Sequence, residues 1–108
     1  KPQWVIFDGF NAEERFGHYV KEALPDAMRV LDMQDFHALR VGREELLGAG
    51  TAASAISSYL PDATNEALQR ELASIHRCDA VLAISTQERD LLVENYGIAE
   101  HKVFAAPL

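Results

Sequence analysis

A single cysteine, Cys78, rules out any disulfide within the chain. This fits a reducing compartment, and a cytoplasmic location is the expectation. Cys78 stands between Arg77 and Asp79 just ahead of an apolar run, the place of a half-buried structural thiol. A reactive one would need a nearby histidine or helix N-terminus. No apolar run approaches the roughly 20 residues of a membrane span, and no signal peptide is visible. Basic residues are also scarce, ten against seventeen acidic ones, for a formal charge of −7. Such a surface repels nucleic-acid phosphates and anionic membranes, and Arg40 with Arg43, the only loose basic grouping, runs straight into Glu44 and Glu45. No Gly-x-Gly-x-x-Gly or P-loop is present, so nothing marks a self-contained nucleotide site. The histidines are scattered without metal-ligand spacing, and Ser85 lacks the flanking glycines of a hydrolase elbow.

What remains is an ordinary globular composition, 48% apolar and 25% charged over 108 residues, enough for one domain with a modest core. Four short apolar runs stand out: Trp4 to Phe7, Met28 to Leu31, Ala80 to Ile84 and Val103 to Ala106. They are continuous rather than alternating, which predicts parallel strands covered on both faces. Phe16, Tyr19, Val20, Ala23 and Leu24 recur at helical spacing, with Asn11 and Glu14 as a capping box and Pro25 as the stop. Ser85 and Glu88 repeat the capping device, and Gly97 supplies a left-handed end. Between His37 and Arg77 the pattern is helical. Gly48-Ala49-Gly50 breaks it, and Pro61-Asp62 opens the helix that carries Leu68, Leu72 and Ile75. The order β-α-β-α(α)-α-β-α-β predicts residues 1–108 as a single Rossmann-like, three-layer α/β/α domain with a parallel sheet of about four strands. The chain opens on Lys1-Pro2, without an initiator Met and with a strand almost at once, as expected of a piece of a longer protein.

Candidate binding residues cluster where apolar runs end. Val30-Leu31 gives way to Asp32, Gln34, Asp35, His37 and Arg40; Trp4 to Phe7 gives way to Asp8-Gly9; and Ala80 to Ile84 gives way to Ser85. A parallel sheet gathers these ends on one edge, where ligands of open α/β sheets bind. Each residue has two readings. Asp32 and Asp35 are close enough for one carboxyl to have a raised pKa suited to acid/base work; alternatively Asp35 caps the next helix, and Asp32 is solvated or pairs with Arg40. His37 and Arg40, one turn apart, either face a shared cleft or hold structural roles, with Glu44 as an ion-pair partner for Arg40. Asp8-Gly9 reads as a tight turn with positive φ at Gly9, and Ser85 as an N-cap.

The series Arg77-Cys78-Asp79-Ala80-Val81-Leu82-Ala83-Ile84-Ser85, Glu88-Arg89-Asp90-Leu91-Leu92, Tyr96-Gly97 and Lys102-Val103 resembles the closing part of the N-terminal domain of GT-B glycosyltransferases of the large retaining group 1 (family 4) type. The stretch Asp32 to Arg40 resembles the same family's "His-Asp" strand end, with Gln34 where histidine is usual. The usual Pro-Asn-Gly after the last strand is absent, and so is a C-terminal donor domain with its paired-Glu motif. The resemblance implies a hexosyltransferase whose acceptor-side domain is seen here. On that reading Asp8, Gly9, Asp32, Gln34, Asp35, His37, Arg40 and Ser85 face a carbohydrate or similar acceptor. The nucleotide-sugar is a co-substrate held mainly by the missing domain, no metal or other cofactor is needed, and this chain alone is inactive. Were the sheet cut mid-domain, an unprotected Trp4–Phe7 edge would favour self-association. A stand-alone flavodoxin- or receiver-like module is the alternative, with Asp8 and Asp32 at strand ends as its support, and a non-catalytic scaffold is a third.

Overall fold

A computed structural model describes residues 3–105. The elements run β1 (Trp4–Asp8), α1 (Phe10–Ala23), β2 (Met28–Asp32), α2 (His37–Gly48), α3 (Ala53–Ser58), α4 (Glu66–Arg77), β3 (Ala80–Ala83), α5 (Thr86–Tyr96), a 3-10 turn (Glu100–Lys102) and β4 (Val103–Ala105). The four strands form one parallel sheet in the order β1-β2-β3-β4, so the chain is a Rossmann-like α/β domain as its patterning predicts. Ala106, assigned by its sequence to the last strand, lies outside the described residues.

An unreversed strand order has a consequence. Right-handed crossovers that all step the same way lay their helices on one face of the sheet. Burial agrees: Phe7, Leu31, Val81, Ala83 and Val103 join Phe36, Leu39, Leu68, Ile75 and Leu92 in one core cluster. The opposite face carries Trp4, Ile6, Met28 and Phe104, with Trp4 62%, Ile6 61% and Phe104 53% exposed. At the centre of that face Val30 and Ala80, in register with Ile6, are buried as the apolar runs predict, and only the flanks are open among the described residues.

Two helix starts differ from their sequence reading. Helix α1 begins at Phe10, not after Asn11, because Gly9 takes φ 87° as its N-cap and no side chain caps it. Asn11 and Glu14 are therefore inside the helix, and both bind Arg70 of α4 instead of forming a capping box. The face that α1 buries is Phe10, Glu13 and Gly17, with Val20 partly covered; Phe16 and Tyr19 are exposed. The apolar periodicity was overridden by a buried polar contact. The Glu13 carboxylate accepts from Ser74 Oγ at 2.7 Å and from Arg77 at 2.6–3.0 Å, an arrangement that keeps a nearly inaccessible charge paired. Helix α4 starts after Asn65, whose side chain accepts from Leu68 N–H, and not at Pro61-Asp62. The other stops agree with the sequence: α2 ends at Gly48, Ser85 caps α5 by accepting from Glu88 N–H, and Gly97 ends α5 at φ 69°. Cys78 is buried at the α4–β3 junction, and burial pushes its thiol up to about 11, in keeping with a structural role.

At Gly42 of α2 the residue that ends α3, Tyr59, packs directly against the helix backbone. A Cβ on Gly42 would overlap the ring of Tyr59, which packs against the core, whereas one on Gly48 would meet open space. Gly42→Ala should thus destabilise the domain by about 1–3 kcal/mol through overpacking. Gly48→Ala should be neutral or stabilising by up to about 1 kcal/mol, as helix propensity dictates. Urea titrations of the two variants decide this, and equal midpoints would refute the packing account.

Candidate functional site

The sequence-predicted residues meet where β1 and β2 end. Asp8 and Asp32 are register partners on neighbouring strands, and Gly9 N–H donates to the Asp32 carbonyl at 2.8 Å, tying the two exits together. Gln34 then turns back across both. Its φ is 69°, the only positive value at a non-glycine residue among those described. That conformation costs on the order of 1–2 kcal/mol and is kept only where neighbours hold it. Here the Gln34 N–H donates to Asp32 Oδ1 at 3.2 Å, and its side-chain amide donates to Asp8 Oδ1.

A cavity of about 240 Å³ opens beside this turn, lined by Asp8, Gly9, Gln34, Asp35 and His37 together with Phe10, Asn11 and Met33. Five of the eight predicted residues are therefore gathered in one pocket. Asp32 anchors Gln34 from below. Arg40 stands alongside, bonded to Asp35 and to Glu44 (3.3 Å), with one guanidinium nitrogen 3.1 Å from His37 Nδ1. A guanidinium only donates, so Nδ1 accepts, and the free hydrogen-bonding position of His37 is Nε2–H. Asp35 keeps Arg40 firmly charged. Ser85 does not join the pocket; it is spent on the α5 cap. Phe10, Asn11 and Met33 had no sequence signal beyond adjacency to the strand ends.

The loop bearing these residues is held by groups the sequence reading missed. Asp35 does not cap α2, whose N-cap is Phe36 with no side-chain cap of its own. The cap comes from other helices: Glu71 of α4 accepts from His37 N–H at 2.9 Å and Ala38 N–H at 2.6 Å, and Glu88 of α5 accepts from Phe36 N–H at 3.3 Å. Carboxylates suit a helix N-terminus, where unpaired N–H groups carry partial positive charge. Glu71 is only 2% exposed, and burial pushes it up to about 7 against the two amide bonds that hold it down. Glu88 is also raised by burial. The clue to Glu71 was its position on the apolar stripe of Leu68, Leu72 and Ile75.

Chemically, the pocket offers carboxylate acceptors, amide groups, an imidazole N–H and the apolar edge of Phe10 and Met33. Hydroxyl-rich ligands fit such a set, because every hydroxyl both donates and accepts. The Asp8, Asp32 and Asp35 carboxylates make it a poor place for a diphosphate. Among the described residues, no group of three or more His, Cys, Asp or Glu side chains is placed to hold a metal, and no helix is long and apolar enough to cross a membrane.

The buried cap makes stability pH-dependent. A carboxyl raised from 4.5 to about 7 in the fold binds more protons folded than unfolded between those values. Its stabilising contribution is thus full below about 4.5 and is lost as the pH climbs through 7, a fall on the order of 3 kcal/mol. Glu71→Gln, which cannot titrate, should flatten the pH 4.5–7 slope in denaturant titrations; an unchanged slope would assign the effect to other groups. No family model, curated protein or solved structure matches this chain.

Proposed function

We propose that the chain is the acceptor-side domain of a glycosyltransferase, which holds a carbohydrate or related hydroxyl-bearing acceptor while a nucleotide-sugar donor is bound by a partner domain. The observation that carries this reading is the strained Gln34 turn, braced by Asp8 and Asp32 at the carboxyl edge of a parallel sheet. Strain kept at a strand end beside a polar pocket marks a binding site more readily than a structural turn. The resemblance of Asp32 to Arg40 to a GT-B strand end supplies the reaction class.

In this reading Asp8 and Asp35 accept from acceptor hydroxyls, His37 donates through Nε2–H, and the buried Phe10 ring backs the His37 imidazole. Arg40 positions Asp35 and His37. The carboxylate-rich pocket leaves the donor diphosphate to the other domain, so this chain alone turns nothing over. The stand-alone flavodoxin- or receiver-like alternative is less well supported. A receiver also wants a lysine at a late strand end, and Ala105-Ala106-Pro107 offers none.

NMR titrations of the 108-residue chain test the reading. Mono- and disaccharides should shift the amides of Gly9, Gln34 and His37 at millimolar concentration. UDP-, GDP- and ADP-sugars should bind no better than millimolar, with or without magnesium. Micromolar binding of any nucleotide-sugar would overturn the acceptor-side assignment, and magnesium binding without nucleotide would favour the receiver-like one. His37→Ala should weaken the saccharide shifts at least several-fold.

The same reading gives the open sheet face a partner in the isolated chain, a second copy. Trp4, Ile6 and Met28 near one edge of the sheet and Phe104 near the other together leave on the order of 400 Å² of apolar surface in water, within the range of the largest patch on an ordinary monomer. That is about half of the ~800 Å² per partner of a standard interface, and the free side of edge strand β1 can contribute the rest. Sedimentation velocity should show concentration-dependent dimers that Ile6→Lys abolishes without changing the circular dichroism. A monomer at every concentration would count against it.

A further inference from the structure

Basic side chains are scarce in this chain, yet several gather in one place. A cavity of about 470 Å³ lies between α1 and α4, over the start of β2, and its basic wall is His18, Lys21, Arg29, His76 and Arg77. It shares no lining residue with the polar pocket and lies toward the opposite edge of the sheet, where α1 and α4 end and β2 begins. Its volume falls in the range of small-molecule sites. The acidic groups that also line it are already engaged: Glu13 is buried and pairs with Arg77 and Ser74, and Glu14 pairs with Arg70. Lys21 makes no ion pair among the described residues.

Arg29 is the telling residue. Arg43 and Arg89, half-buried like Arg29, each donate to a backbone carbonyl. The backbone N–H of Arg29 donates to Asp79, but its guanidinium finds no acceptor among the described residues. None of its nitrogens is sealed from water, so a ligand can reach them. Two residues before the core Leu31 on β2, Arg29 is on the helix-covered side of the sheet. Cations suit helix C-termini, which accounts for Lys21, His76 and Arg77 in the last turns of α1 and α4. It does not account for a strand arginine with open donors, a group that pairs best with an oxyanion.

A phosphate group fits this set better than a carboxylate does. It concentrates up to two charges on one tetrahedral centre with three strong acceptor oxygens. The donors come from three elements, Lys21 from α1, Arg29 from β2 and His76 from α4. The formal charge of −7 disfavours a polyanion, but salt screens it beyond about 10 Å, and a single phosphate is governed by the charges it touches.

We infer that the α1–α4 cavity binds a phosphate group, free or carried by a small ester, with Arg29 and Lys21 as its charge partners and His76 as a further N–H donor. The inference does not rest on the glycosyltransferase reading, because it concerns a different cavity at the other end of the sheet.

Inorganic phosphate and glycerol 3-phosphate are the probes, with glycerol, succinate and sodium chloride at matched ionic strength as controls. Amide and arginine Nε NMR of the full 108-residue chain is the readout. Phosphate should bind at millimolar concentration or tighter and shift the Gly17, Arg29 and Arg77 amides and the Arg29 Nε–H, leaving Gly9 and Gln34 in place. Tighter binding of glycerol 3-phosphate marks an ester site, and equal or tighter binding of inorganic phosphate marks a site for the free ion; both support the inference. Arg29→Met and Lys21→Met should each weaken binding about tenfold, the effect of one lost hydrogen bond to a charged group. Arg15→Met, on α1 but outside the cavity, should leave it unchanged. Lys21 is exposed, so Lys21→Met decides should Arg29→Met fail to fold. The proposal falls if neither phosphate shifts these signals beyond sodium chloride, if succinate binds as well, if the shifts lie outside the cavity, or if a folded Arg29→Met or Lys21→Met binds undiminished.

Discussion

The start of α2 organises the molecule. Three backbone N–H groups, those of Phe36, His37 and Ala38, point out of a helix with no cap of its own, and the two carboxylates that receive them come from α4 and α5. A single bonding requirement thus ties three helices together at the carboxyl edge of the sheet. It also fixes the loop from Met33 to Asp35, because that loop has Asp32 at one end and the capped turn at the other. The strained Gln34 turn is tolerable only with both ends held. Burial of Glu71 is the cost of this arrangement: a carboxyl withdrawn from water to about 7 is less stable charged than an exposed one, and only the two amide bonds offset it.

The sheet and most of its helices were legible because apolar runs and helical spacing are local. Strands β1 to β3 fall within a residue of their sequence bounds, and the Ser85 and Gly97 signals mark both ends of α5 correctly. Residues whose partners are distant in sequence were not legible. Glu13 and Arg77 are 64 positions apart, and their contact rotates α1 so that Phe16 and Tyr19 face water. Asp35 looks like an N-cap by position and spends its carboxylate on Arg40 instead, which leaves the cap to Glu71, 34 residues from the His37 it binds.

Of the site, the strand ends gave the location and five of the lining residues, since a parallel sheet must bring its carboxyl ends together. They did not give the pocket's walls. Phe10 and Asn11 enter it because Gly9 lets the helix begin one residue after the strand. Ser85 shows the limit of the strand-end argument: being at the right edge does not place a side chain in the right cavity when its hydroxyl is engaged by its own helix.

Cys78 gives the domain an internal clock. The thiolate is the form that reacts, and a buried thiol pushed up to about 11 holds almost none of it near neutrality. Alkylation or oxidation at this position therefore waits for α4 to separate from β3. The lone sulfur reports the rate at which the fold breathes open, not the chemistry of its surface.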